Sequence, residues 1–151
     1  MHKVMATIIQ LVKELRASQP DKQIGKTVIM KLVYLLKFQG KINALKNVAY
    51  RMYHYGPCSS AVFVNLDLAQ ALGYLTIRWR DDKGFFIEPT NKASEASEFL
   101  DEAEIEAIKD VVKQFGHFDT RELSIITTAL FIQREFKVPK NAVVRVIHSL
   151  K

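Results

Sequence analysis

The chain has little of what secreted or membrane-embedded proteins require. Its single cysteine, Cys58, cannot close a disulfide within the chain, so the fold does not depend on an oxidising compartment. No apolar run approaches the ~20 residues of a membrane span. The first apolar stretch is interrupted by Lys13, Glu14 and Arg16, unlike the core of a signal peptide. We therefore expect a cytoplasmic location and no membrane partner.

Signatures of catalysis and of metal binding are also missing from the sequence. It contains no G-x-S-x-G, G-x-x-x-x-G-K-S/T or G-x-G-x-x-G motif, the marks of a hydrolase elbow, a phosphate loop and a dinucleotide site. The histidines, His2, His54, His117 and His148, are scattered, whereas metal ligands cluster at short spacing. We expect no catalytic residue, no metal site and no cofactor, and therefore not an enzyme.

Acidic residues are scarce in the first part of the chain. Residues 1–57 hold ten Lys and Arg against Glu14 and Asp21, a net charge of +8, whereas residues 58–100 sum to −2 and residues 101–151 to zero. A basic half is typical of a chain with an anionic partner, either nucleic acid or an acidic protein face. It is equally typical of a solvated surface that keeps a protein soluble.

Hydrophobic periodicity predicts amphipathic helices over residues 2–17 and 26–38, and a further helix over residues 59–72 that ends at Gly73. The stretch 41–55 is predicted to be a loop with short helical or extended pieces, and Pro57 is predicted to lie in the first turn of the 59–72 helix. Residues 75–80 then alternate between apolar and polar side chains, as in a half-buried strand. This order of elements favours a winged helix.

The predicted wing and the C-terminal helices complete the fold. Asp81-Asp82-Lys83-Gly84 indicates a hairpin turn, and capping boxes at Asp101/Glu104 and Asp119/Glu122 predict two more helices. Pro139 is predicted to begin a last helix. We expect a mainly α fold with a winged-helix-like core at about 24–100, a small β-hairpin wing and additional C-terminal helices at 101–151, all in one domain spanning residues 1–151.

The 59–72 helix occupies the position of a DNA-reading helix but lacks the chemistry for it. Residues 58–72 contain no Lys or Arg, and their only charged residue is Asp67; base edges and phosphates are usually contacted by Arg, Lys, Asn and Gln. Because this helix is apolar on nearly every side, we expect the C-terminal helices or a second copy of the chain to cover it. The basic residues of the wing, Arg78, Arg80 and Lys83, are the candidates for contacts with a nucleic-acid backbone.

The stretch Tyr50–Ser60 is the densest polar-aromatic segment in the sequence, and side chains of this kind anchor protein interfaces. The candidate partner-binding residues are Arg51, Tyr53, His54, Tyr55 and Ser59. In an extended segment Tyr53 and Tyr55 point to one side and His54 to the other, so only part of the set is expected to face a partner. The alternative interpretations are a base-stacking platform and aromatic packing under the wing.

Four short motifs resemble the YwgA-like group of prokaryotic and viral proteins, which is similar in turn to the SocA-like Panacea antitoxin domains. The motifs are Lys31-Leu32-Val33-Tyr34-Leu35-Leu36, Tyr53-His54-Tyr55-Gly56-Pro57, Leu72-Gly73-Tyr74-Leu75 and Glu122-Leu123-Ser124-Ile125-Ile126-Thr127-Thr128. They span about residues 25–132. The resemblance implies a helical module derived from a winged helix, without catalytic residues, whose antitoxin members act by binding protein toxins.

Two functions remain open from the sequence. The first is a non-enzymatic protein-interaction module, antitoxin-like or regulatory, that binds a protein partner through the Tyr50–Ser60 segment. The second is a winged-helix nucleic-acid-binding protein or transcription regulator that uses the basic N-terminal half and the wing. A homo-oligomer is consistent with either.

Overall fold

A computed structural model of the chain describes residues 1–137 and Asn141, so the helix predicted to begin at Pro139 lies outside the described residues. The fold is mainly helical, with helices α1 Lys3–Ser18, α2 Lys26–Gln39, α3 Ser60–Ala71, α4 Glu102–Phe115 and α5 Thr120–Phe136. Two antiparallel hairpins join β1 Arg51–Tyr53 to β2 Gly56–Cys58 and β3 Leu75–Arg80 to β4 Gly84–Pro89. Short 3-10 helices cover Asn43–Asn47 and Asn91–Phe99. None of the helices in this part of the chain is long and apolar enough to cross a membrane.

Helix α1 lies at the centre of the packing. Ile8, Ile9, Leu11, Val12 and Leu15 are fully buried, because α1 is in contact with α3, α4, β4 and the 3-10 helix Asn91–Phe99. Burial of a side chain of this size contributes about 1.5–3 kcal/mol relative to exposure. The core therefore includes an element that precedes the predicted 24–100 range.

The second hairpin is the predicted wing, and it packs on the α1–α2 loop. In the register of β3 and β4, Ile77 lies opposite Ile87, and the turn between them is closed by Asp82 and Gly84, both at positive φ. The Ile87 N–H donates to the Ile24 carbonyl at 2.8 Å. This bond attaches one edge of the wing to the helical core, and the prediction of a mainly α fold with a β-hairpin wing is confirmed.

The helix termini follow the predicted signals. Asp101 accepts a hydrogen bond from the Glu104 N–H at 2.7 Å while the Glu104 side chain accepts from the Asp101 N–H at 2.9 Å, and Asp119 and Glu122 form the same reciprocal pair. After α3, Gly73 at φ +87 allows the chain to turn away from the helix. Both capping boxes and the glycine stop are confirmed.

Arg16, at the C-terminal end of α1, joins three parts of the structure. Its guanidinium donates two hydrogen bonds to the Glu88 carboxylate on β4, at 2.9 and 2.7 Å. It also donates to the carbonyls of Gln19, Pro20 and Lys22, at 3.0, 2.8 and 2.8 Å. The planar guanidinium group suits this arrangement, because its N–H groups can donate to the carboxylate and to the loop carbonyls at the same time.

We expect Arg16→Met to lower the free energy of unfolding by about 2 kcal/mol, because it removes charge-assisted bonds and leaves loop carbonyls without a donor. Denaturant unfolding measures the change. Arg78→Met is the control, since Arg78 is an exposed arginine on the wing. An equal loss in both variants would contradict the role given to Arg16.

Candidate functional site

The Tyr50–Ser60 segment forms the first hairpin. Arg51 pairs with Cys58 and Tyr53 with Gly56, so His54 and Tyr55 make the turn. The prediction that Pro57 lies in the first turn of a helix is wrong: Pro57 is in β2, and its carbonyl accepts a hydrogen bond from Lys31 Nζ at 2.8 Å. The following helix begins only at Ser60.

Gly56 determines where this hairpin sits. Its φ of +103° lies in the region that disfavours side chains, and a Cβ built there would come within 2.5 Å of Thr128 Oγ1 and 3.3 Å of the Ser124 carbonyl. Both of those residues are on α5. A residue without a side chain is therefore required for two reasons, the backbone conformation and the close approach of β2 to α5.

The turn presents its aromatic side chains to solvent. Tyr53 and Tyr55 are 66% and 70% exposed, Arg51 and His54 are also exposed, and the Tyr53 and His54 rings are 4.6 Å apart. The expected alternation among Tyr53, His54 and Tyr55 is wrong because the chain reverses at His54-Tyr55 instead of continuing as a strand. These four predicted residues therefore lie together on one exposed hairpin.

Ser59, the fifth predicted residue, is only 2% exposed. It precedes α3 in an extended conformation, and its N–H donates to the Met30 sulfur at 3.2 Å. A buried side chain at this position has no access to a partner. The structure therefore removes Ser59 from the candidate site.

Tyr50 is the tyrosine of this segment that packs inward. Its hydroxyl donates to the Met30 carbonyl at 2.9 Å, and its ring meets that of Tyr34 edge to face at a centroid distance of 5.0 Å. The ring of Phe131 on α5 also packs near that of Tyr34, at a centroid distance of 6.1 Å. Burial raises the pKa of Tyr34 to about 12 and that of Tyr50 well above its usual value, because the phenolate would lose hydration.

A groove lies between the first hairpin and α3. It consists of two depressions of about 210 and 380 Å³ that share Tyr53, Cys58 and Phe63, and we call it the hairpin groove. Its remaining lining residues are Thr27, Met30, Lys31, Arg51, Met52, Tyr55, Gly56 and Ser60. Apolar and aromatic side chains dominate the lining, and neither depression is lined by an acidic residue. Such a groove can receive large apolar side chains.

Helix α3 is buried on one face only. Val62, Leu66 and Ala69 are fully buried, and α1 is the helix against which α3 packs most extensively. On the outer face Val64, Leu68 and Leu72 are 55%, 49% and 50% exposed. Within residues 1–137 and Asn141, α4 and α5 therefore do not cover this outer face, and that part of the prediction is wrong. Cover by a second copy of the chain stays a prediction. Because apolar residues occur on every side of this helix, its sequence has no hydrophobic periodicity that could show which side is exposed.

The wing carries the other exposed aromatic residue of interest. Trp79 is 60% exposed and packs edge to face on Phe85, with ring centroids 4.8 Å apart. Arg78, Arg80 and Lys83 are exposed as predicted. The hairpin also carries three acidic residues, Asp81, Asp82 and Glu88, of which Glu88 is paired with Arg16 of α1. The carboxylates of Asp81 and Asp82 in the turn weaken the attraction of the wing for phosphate.

Among the residues that the structure describes, no three His, Cys, Asp or Glu side chains come together in a way that could hold a metal ion. Comparison with known proteins finds no family model that matches the chain and no similar curated protein. The candidate site is the exposed surface formed by the first hairpin, the hairpin groove and the outer face of α3, because four of the five predicted partner-binding residues lie together there.

We expect Gly56→Ala to lower the free energy of unfolding by about 2 kcal/mol or more, because it adds a steric overlap to an unfavourable φ. Gly40→Ala is the matched control, since Gly40 has a φ of +73° and no atom within 4 Å of the added Cβ. Gly40→Ala should lower the free energy of unfolding only by the cost of placing an alanine at a positive φ, about 1 kcal/mol.

Thr128→Ala should partly rescue Gly56→Ala, because it removes the Oγ1 atom that the new Cβ would meet. That oxygen makes no hydrogen bond within the described part of the chain, so the substitution itself should cost little. Denaturant unfolding of the single and double variants measures the coupling. If the losses of unfolding free energy in the two single variants simply add up in the double variant, β2 does not approach α5 as closely as the structure places it.

The pKa of about 12 for Tyr34 predicts a stability change in alkali. Between pH 10 and 12 the unfolded chain ionises this phenol while the folded chain keeps it protonated, so stability that is complete below pH 10 is lost as the pH rises. We expect Tyr34→Phe to lose less stability over this window than the wild type, by up to about 2 kcal/mol. Unfolding curves at pH 8, where both states are protonated, provide the reference. Parallel losses in both proteins would contradict the burial of Tyr34.

Proposed function

We propose that the chain is a non-enzymatic protein-interaction module, antitoxin-like or regulatory, that binds a protein partner through a docking face. This face consists of Arg51, Tyr53, His54 and Tyr55 on the first hairpin, of Phe63, Val64 and Leu68 on α3, and of Leu72 directly after α3. The observation that carries the proposal is the exposure of Tyr53 and Tyr55, at 66% and 70%. They stand on a hairpin whose position is fixed by its contact with α5.

Rigid support is what makes these exposed side chains suitable anchors. Tyr and Arg are enriched among the residues that carry most of the binding energy in protein interfaces. A turn held by backbone pairing and by the approach of Gly56 to α5 has little conformational freedom left to lose, so association costs less. Exposed aliphatic side chains on α3 extend the surface, and contiguous apolar surface of this kind marks interaction sites.

The resemblance to the YwgA-like group supports the same proposal. Its strongest element, Tyr55-Gly56-Pro57, forms the end of the turn and the start of the second strand of the exposed hairpin. The Panacea antitoxin domains to which that group is similar act by binding proteins. We propose on this basis that the chain belongs to the YwgA-like branch and that its partner is a protein.

A second candidate function is binding to nucleic acid. The observation in its favour is the exposure of Arg78, Arg80 and Lys83 on the wing, in a chain with a net charge of +6. It ranks second because the wing also holds three acidic residues and α3 holds no cation. Affinity of this origin would be electrostatic, not sequence-specific, and strongly reduced by salt.

The docking face predicts which substitutions abolish partner capture. The tagged wild-type chain and the Tyr53→Ala/Tyr55→Ala variant are used side by side for affinity purification with quantitative mass spectrometry. We expect the variant to lose the specific partner and, once the partner is identified, to bind it with an affinity lower by about 2 kcal/mol or more. Its thermal unfolding should stay near that of the wild type, since both side chains are exposed.

Trp79→Ala is the matched control, because it removes an aromatic side chain of similar exposure from the wing. Retention of the partner by the hairpin variant, or its loss from both variants, would contradict the proposal. A DNA-binding assay at low and physiological salt separates the alternative. Sequence-dependent binding that survives physiological salt and requires Arg78 and Arg80 would favour the nucleic-acid function instead.

A further inference from the structure

We infer that the docking face receives an acidic amphipathic helix of another protein, with its carboxylates over the first hairpin and its apolar side chains in the hairpin groove and along α3. The inference rests on the proposed function and specifies the chemistry of the partner. Three independent features of the surface carry it: the apolar groove, a straight row of aliphatic side chains, and an unbalanced set of cations.

The groove selects apolar side chains. Met30, Met52 and Cys58 contribute to its lining, and Tyr53 and Phe63 are shared by its two depressions. Methionine side chains adapt to the shape of an apolar partner, and the larger depression, of about 380 Å³, is open to solvent beside Phe63. Phe63 is also the residue at which the groove meets the outer face of α3. A partner that fills the groove therefore extends directly onto α3.

The outer face of α3 favours a helix over an extended strand. Val64, Leu68 and Leu72 follow one another at intervals of four residues, so they form a straight ridge about 12 Å long at 1.5 Å per residue. Ridges of this kind pack into the grooves between side chains of a facing helix. They offer no aromatic plane on which a nucleic-acid base could stack. The ridge thus favours an amphipathic helix with apolar residues three and four apart.

The charges around the groove favour acidic residues in the partner. Arg51 lines the groove, and Lys26 Nζ lies 5.8 Å from the centre of the Phe63 ring. Neither makes an ion pair among residues 1–137 and Asn141, where the ion pairs are Lys3–Glu104 and Arg16–Glu88. No Asp or Glu lines either depression. Lys26 Nζ also lies 4.1 Å from the centre of the Phe85 ring on the wing. Carboxylates placed here gain attraction without displacing an existing ion-pair partner.

Asp67 determines the orientation in which the acidic partner helix is expected to bind. It is exposed on α3, one turn beyond Phe63 and beside Leu68, so carboxylates over this part of the helix would be repelled. The acidic residues of the partner are therefore expected at the end that lies over the hairpin. The end over Leu68 and Leu72 should be apolar, neutral or basic. This pattern can be tested before the partner itself is identified.

The test is a selection from a displayed library of helical peptides with a fixed apolar stripe, in which the flanking positions are randomised among Glu, Gln and Lys. Wild-type protein is the target. We expect the enriched peptides to carry Glu near one end and to bind the Tyr53→Ala/Tyr55→Ala variant at least about tenfold more weakly, since anchor residues carry most of the affinity. The Lys26→Glu/Arg51→Glu variant should weaken the same peptides by about tenfold and should itself enrich Lys at those positions.

Lys109→Glu on α4 is the control for net charge, because Lys109 is exposed and lies on a different helix; the acidic peptides should bind this variant nearly as well as the wild type. Circular dichroism and thermal unfolding establish that each variant is folded. Enrichment of neutral or basic peptides, no enrichment, or equal weakening by Lys109→Glu would overturn the inference.

Two further results would also overturn it. The first is self-association of the chain through Leu68, seen as a dimer in sedimentation that Leu68→Asp dissociates. The second is preferential binding of single-stranded oligonucleotides to the groove, abolished by Lys26→Glu/Arg51→Glu. If the library fails but the affinity purification still yields a partner that requires Tyr53 and Tyr55, the interaction module stands and only the acidic helix is discarded. If both fail, both proposals are discarded.

Discussion

The contact between the first hairpin and α5 is the constraint on which the exposed surface depends. Two three-residue strands joined by a two-residue turn are marginal by themselves, and this pair persists because β2 is fixed from several sides. Gly56 lies against Thr128 and Ser124, and the buried Lys31 donates to the Pro57 carbonyl from α2. With the second strand held, the turn has to project outward with its tyrosines.

Beneath the hairpin the same region supplies a layer of aromatic packing that the exposed tyrosines do not share. The Tyr50 hydroxyl donates to the Met30 carbonyl, and the Tyr34 ring packs near the rings of both Tyr50 and Phe131. One segment of sequence therefore performs two tasks within six residues. Its first tyrosine stabilises the interior, whereas the two tyrosines that follow contact solvent. The division falls within the first strand, because Tyr50 directly precedes β1 whereas Tyr53 ends it and Tyr55 lies in the turn.

Local signals were sufficient to predict most helices and the wing. The capping boxes at Asp101 and Asp119 and the glycine stop at Gly73 act within one turn of their own helices, so their consequences can be read from a few neighbouring residues. Pro57 was misassigned because its short strand is held in place by contacts with α2 and α5, which are distant in sequence. The outer face of α3 escaped prediction because Val64 and Leu68 are as apolar as the buried Val62 and Leu66.

The central position of α1 has a consequence for how the chain acquires its structure. Lys3 of this helix pairs with Glu104 at the start of α4, across 101 positions of sequence. Contacts with such long separation are formed late, because the entropy of closing the loop must be overcome first. During synthesis the apolar face of α1 therefore leaves the ribosome well before α4, which is the last of the described elements that cover it. Over that interval the nascent chain exposes Leu11 and Leu15, which gives general chaperones a segment to hold until α4 emerges.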